Sequence, residues 1–152
     1  MKKLFLLLAL VFLVSADTAT KECYKVTKVT TLVEAPEMKK ERILFGIKQM
    51  TEEILSEKVS ICEDGTPVEV EIMSIEAPST STSFGPFAKE KKETIVKLRI
   101  IIGKDDYWGQ GKANVTVQST FLDLNDDNLP FSKTAFSGAV KKALVEAVEE
   151  MK

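Results

Sequence analysis

The sequence predicts an α+β fold: a two-layer sandwich of βαβββα order, with two helices on one face of a four-stranded mixed sheet. Two patterns carry that prediction. Residues 68–77, 93–102 and 112–122 alternate apolar and polar side chains, the period of half-buried strands. Residues 37–58 and 133–150 instead repeat their apolar positions every three or four residues, the period of helices packed on one side.

The first strand is read over 23–33, CYKVTKVTTLV, from its Val, Thr and Tyr content. Tyr24 and Val26 share a face that Val29 does not, so a bulge or an edge position is expected. Ala35-Pro36-Glu37 ends the strand. In the first helix Ile43, Ile47, Met50 and Ile54 form the apolar stripe, with Leu44 and Leu55 beside it. Lys48, Glu52, Glu53 and Glu57 take the opposite side.

Gly65-Thr66-Pro67 punctuates the chain before the second strand, where Val68, Val70 and Ile72 oppose Glu69 and Glu71. In the third strand Val96, Leu98, Ile100 and Ile102 oppose Lys97 and Arg99. If these two strands pair as a hairpin, the two glutamates face the strip that holds the two cations, a favourable cross-strand arrangement. The fourth strand places Ala113, Val115, Val117 and Phe121 inward and Asn114, Thr116, Gln118 and Thr120 outward. Just before it, Gly109 and Gly111 flank Gln110 and leave a shallow strip for packing under Trp108 or a helix end.

The closing helix carries Phe136, Val140, Ala143, Leu144, Ala147, Val148 and Met151 at helical spacing, with Ser132 as its N-cap. Segments 77–92, rich in Ser, Thr and Pro, and 123–130, an acidic turn, are read as loops.

A right-handed crossover sets the first strand parallel to the second, and the last three strands form an antiparallel meander. The junction 34–37, loop 77–92 and turn 123–130 then gather at the end where both helices begin. Helix N-termini present free N–H groups there, so a site is expected at that end.

Residues 1–16 read as a secretory signal peptide: Lys2 and Lys3, the apolar run Leu4 to Val14, then Val14-Ser15-Ala16 as a small-residue exit. As a helix this run rises only about 16 Å, half of a bilayer core, which argues against a membrane span. Residues 17–152 then form a single domain. Without Lys2 and Lys3 its 19 basic residues face 23 acidic ones, a net charge of −4. That balance disfavours nucleic acid or an anionic membrane as partner. Two cysteines in an exported chain point to a Cys23–Cys62 disulfide, worth roughly 4 kcal/mol on the chain-entropy estimate.

The chain contains no His, which removes the commonest general base and metal ligand, and neither cysteine has CxxC spacing. The expectation is a non-enzymatic protein with no cofactor and no metal. Asp123-x-Asn125-x-Asp127 opens like a calcium loop, but Asn128 and Thr134 stand where that loop needs Gly and Glu, so an ordinary turn is expected. Phe84 and Phe87, either side of Gly85-Pro86, either fold back onto the sheet edge or serve as partner anchors. Phe84, Phe87, Asp123, Asn125 and Asp127 are the candidate binding residues. Asn114-Val115-Thr116 is a glycosylation sequon that matters only in a eukaryotic source; the Lys-Lys start and Leu-rich run suit a bacterium better.

With its exported N-terminus, βαβββα order and long terminal helix, the chain resembles small bacterial envelope proteins of the YajG type and the LPS-assembly lipoprotein that plugs the outer-membrane translocon. The likeness covers about residues 23–151 and is carried by the hairpin and helix run from Thr94 to Met151. It departs from that group at the lipidation site, since Thr20-Lys21-Glu22 precede Cys23. The resemblance implies an exported α+β fold and transfers no site residue. The expected function is that of a periplasmic or secreted accessory protein binding an envelope protein or polymer. The alternative is a secreted small-ligand or inhibitor-type domain using loop 77–92. The edges of the first and fourth strands also permit self-association by strand pairing.

Overall fold

In the computed structural model, residues 22–84, 87–120 and 133–151 are described, with backbone alone at 37, 79–84, 87–92, 115–120 and 133. The segment 1–16, Asp123, Asn125, Asp127, Phe121 and the expected cap Ser132 lie outside the described residues. The elements are β1 (Cys23–Thr31), α1 (Glu41–Ser56), β2 (Ser60–Ile61), β3 (Thr66–Glu76), β4 (Ser79–Phe84), β5 (Phe87–Ile102), β6 (Asp105–Thr120) and α2 (Lys133–Glu150). A 3-10 turn, Pro36–Lys39, precedes α1.

The protein is mixed α+β, as the alternation and helical stripes imply, but its sheet has six strands rather than four. β1 pairs in parallel with β2 and β3, while β5 pairs antiparallel with β3, β4 and β6. The strands occupy five lanes, β2, β1, β3 with β4, β5 and β6, because β3 and β4 share one side of β5.

Within the segment 77–92, expected to be a loop, residues 79–84 and 87–92 instead continue the sheet. Glu76 pairs with Ile95, and Ser79 through Phe84 pair with Lys92 back to Phe87 in the same register. The ladder lapses over Ala77 and Pro78, and Pro78 has no N–H to donate; its carbonyl still accepts from the Glu93 N–H at 3.1 Å. The Ser-Thr alternation that reads as loop composition is compatible with strand because Thr is a good β former and a paired partner was at hand in β5.

Two bulges correct the face of the flanking residues. Val26 pairs with Val68 but Lys28 with Glu69, so Thr27 is the extra residue and Val29 returns to the Val70 side. The irregular alternation of β1 foretold this. In β3, Met73 is extra: Ile72 pairs with Leu98 and Ser74 with Lys97.

Both helices feed one core. Ile47, Ile54 and Leu55 of α1 and Phe136, Val140, Leu144 and Val148 of α2 cluster with Val26, Val68, Val70, Ile72, Val96, Leu98 and Ile100 of the sheet. The helices therefore lie on the same side of the sheet. Cys23 and Cys62 are bonded, with Cα atoms 5.8 Å apart, and tie the start of β1 to the residue after β2. Gly103 opens the two-residue turn between β5 and β6 with φ +63, the conformation a type II′ hairpin demands at its first central position.

Candidate functional site

Three surfaces follow from this architecture. The first is the outer edge of β6, beside which α2 runs antiparallel. A methyl group built on Gly109 would overlap the Ala143 carbonyl, and one on Gly111 the Ala139 carbonyl. Ala135, Ala139, Ala143 and Ala147 recur every four residues and are all buried. Four helical residues rise about 6 Å and two strand residues about 6.6 Å, so the small residues of the two elements stay in step. The expected packing role of the Gly109–Gly111 strip is met by the body of the helix rather than its end.

This close approach lets α2 reach the strand's free backbone. The Gln110 N–H donates to the Glu146 carboxylate at 2.9 Å and the Trp108 N–H to Glu150 at 3.1 Å. The Lys142 ammonium donates to the Lys112 carbonyl at 2.9 Å. Outside this seam lies an open groove of about 430 Å³ lined by Gln110, Lys141, Lys142, Val145, Glu146 and Glu149.

The second surface is the sheet face away from the helices. Arg99 bonds Glu71 through Nη2 at 2.6 Å and through Nε at 2.7 Å, and Asp106 through Nη1 at 3.0 Å. Its guanidinium also sits 5.7 Å from the ring centre of Trp108, which is 46% exposed. Bonding to Glu71 raises the Arg99 pKa and holds the cation in place. Glu71 and Arg99 are register partners, as the hairpin expectation requires. Glu69 and Lys97 are not: Glu69 pairs with Ile101 and meets Lys28 at 4.0 Å, while Lys97 meets Glu76 at 3.7 Å. With Glu71 opposite Arg99 the antiparallel register itself sets Glu69 opposite Ile101, and the Met73 bulge moves Lys97 opposite Ser74, so the charges share one face while only one of the two pairs is directly opposed. Lys112 meets Glu93 at 2.9 Å. These charges neutralise one another, which describes a solvated outer face.

The third surface is the ribbon formed by β4, the first half of β5 and the end of β6. α2 places Gly138 beside Ala113. The five residues of α2 before it rise about 7.5 Å, or roughly two strand residues, so β6 beyond about Val115 runs past the described part of the helix. Phe84 and Phe87 are paired positions at the far end of this ribbon, which places both candidates together at one end of the sheet.

Sequence reasoning missed the ribbon and the α2 seam. In the sequence the ribbon leaves only a polar Ser-Thr alternation, and the seam only a four-residue repeat of alanines and a Gly-x-Gly, none of which names a pairing partner. Among the described residues no group of three or more His, Cys, Asp or Glu side chains is placed to hold a metal. No described helix is long and apolar enough to cross a membrane.

No family model and no curated protein matches the sequence. Among solved structures, a minor lipoprotein from Acinetobacter baumannii overlaps 86% of this chain and 87% of its own at 8% identity and a TM-score of 0.36. The rare lipoprotein B from Shewanella oneidensis overlaps 84% and 92% at 13% identity and a TM-score of 0.34. Both are weak, architecture-level resemblances to bacterial lipoproteins. No residue role is taken from either.

Proposed function

We propose that this chain is an exported, non-enzymatic accessory protein that binds another envelope protein or polymer through the end of its β-ribbon. The observation that carries the reading is the ribbon itself, whose paired Phe84 and Phe87 positions stand at the end of a ladder that runs past α2. Aromatic residues carry interface energy out of proportion to their number. The oxygen-bearing positions Asp123, Asn125 and Asp127 follow β6 in sequence, which ends opposite Phe87, and belong to the same proposal. Export rests on residues 1–16 and fits the Cys23–Cys62 bond, since disulfides persist in oxidising compartments.

Affinity purification from the native envelope tests the reading. The expected result is a chain that begins at Asp17 and holds a stoichiometric protein or polymer partner. A lone monomer carrying a small molecule would favour a ligand-binding domain instead. A chain retained in the cytoplasm with Met1 and residues 2–16 intact would overturn the proposal.

A further inference from the structure

We infer that two copies of this chain associate by antiparallel pairing of β4 with β4, an interaction that goes beyond partner binding at the ribbon end. β4 pairs with β5 on one side, and among the described residues no strand lies on its other side. An edge of this kind presents unpaired N–H and C=O groups that template another strand.

The edges of the sheet differ in how they meet that hazard. β6 is closed at Trp108, Gln110 and Lys112 by the side chains of α2, and only its last residues, past the helix, share the uncharged edge character of β4. At the other side, β2 covers the start of β1, and the rest of β1 carries Lys25 and Lys28, both exposed. An antiparallel pair of β1 strands would draw these lysines of both copies together, which is unfavourable. β4 has neither device. Residues 77–84, APSTSTSF, contain no charge, and the only proline, Pro78, precedes the strand. The charges of the ribbon, Lys89, Glu90, Lys91 and Lys92, sit on β5, one lane inward.

A second copy is the occupant that this chemistry favours. Two-fold pairing of a strand with itself opposes each position with a position of the same sequence, so any charged residue risks meeting its own kind. All six residues of β4 are uncharged, and every register escapes that penalty. The pairing is closed, joining two ribbons into one continuous sheet without propagating into a filament. Six residues a side make a small interface, so the equilibrium is expected in the micromolar range rather than tighter.

Sedimentation velocity of the exported chain, with its disulfide intact, tests this across a micromolar concentration series. The wild type is expected to show a monomer–dimer equilibrium. Thr82→Lys and Thr82→Glu are each expected to be monomeric with unchanged thermal melts, and their equal mixture to form a one-to-one dimer. A wild type that stays monomeric throughout, single variants that dimerise like the wild type, or a mixture that remains monomeric would each overturn the pairing. Because Thr82 substitution reads oligomeric state and not partner retention, failure here leaves the binding reading to its own test.

Discussion

The main-chain N–H of Gln110 donates to the carboxylate of Glu146 at 2.9 Å, from a strand whose outer side has no neighbouring strand among the described residues. Two residues back along the strand and one turn on along the helix, Trp108 and Glu150 repeat the bond. α2 thus does for β6 part of what a further strand would do, satisfying edge groups that otherwise solicit another chain. Glu146→Ala is expected to speed amide exchange at Gln110 while leaving the inward-facing amides of β6 unchanged, and to lower stability by about 1 kcal/mol. Site-resolved hydrogen exchange checks this. An unchanged Gln110 rate would show that the carboxylate does not close the edge.

The seam depends on small residues. Gly111→Ala forces the new methyl into the Ala139 carbonyl, and Gly109→Ala into that of Ala143, both backbone atoms that move only with the whole helix. Each substitution is expected to cost at least about 2 kcal/mol, lowering the melting temperature by several degrees. Calorimetry is the check, and an unchanged melt for either variant would mean that the helix lies farther from the strand than described.

Two buried threonines make opposite predictions. Thr51 donates to the Ile47 carbonyl at 2.8 Å within α1. Thr94, also fully buried, has no hydrogen-bond partner for Oγ1 among the described residues. Thr94→Val, which keeps the shape and removes the hydroxyl, is expected to stabilise by about 1 kcal/mol and raise the melting temperature by roughly 2–4 °C. Thr51→Val is expected to give no such gain. A fall in the Thr94→Val melt would mean that the hydroxyl has a partner.

Near the disulfide, the Tyr24 hydroxyl donates to Glu22 at 3.0 Å, and this bond raises the phenol above its usual 10.0. The protonated phenol is the form the folded chain favours. Its contribution to stability is therefore present below pH 10 and lost as the pH rises through the elevated folded value. Ultraviolet titration of a Tyr107→Phe variant isolates Tyr24. Glu22→Gln should move the transition down toward 10, and a midpoint unaffected by that change would contradict the bond.

Much of the fold was legible because it rests on periodicity. The stripe Ile47, Ile54, Leu55 and the run Phe136 to Val148 enter the core as their spacing implies, and the faltering alternation at Val29 marked a real bulge. Three features were not legible. A two-residue strand such as Ser60–Ile61 has no period to detect. The ribbon strands 79–84 and 87–92 are mostly Ser, Thr and Lys, so no alternating apolar face distinguishes them from a solvated loop, and what makes them strand is the pairing among β4, β5 and β6. The seam between Gln110 and Glu146 joins residues 36 apart, a relation that local pattern does not encode. Of the candidate binding residues, Phe84 and Phe87 are brought together by the ribbon's register, whereas Asp123, Asn125 and Asp127 fall outside the described residues.

The proposed binding role concentrates on the ribbon's end, so the most direct measurement replaces both aromatics there. A Phe84→Ser/Phe87→Ser double variant is compared with the wild type for retention of the envelope partner and for thermal melting. The account predicts lost retention with an unchanged melt, because the two positions lie beyond the strands covered by α2. A lowered melt with retention intact would contradict it and make the pair part of the core.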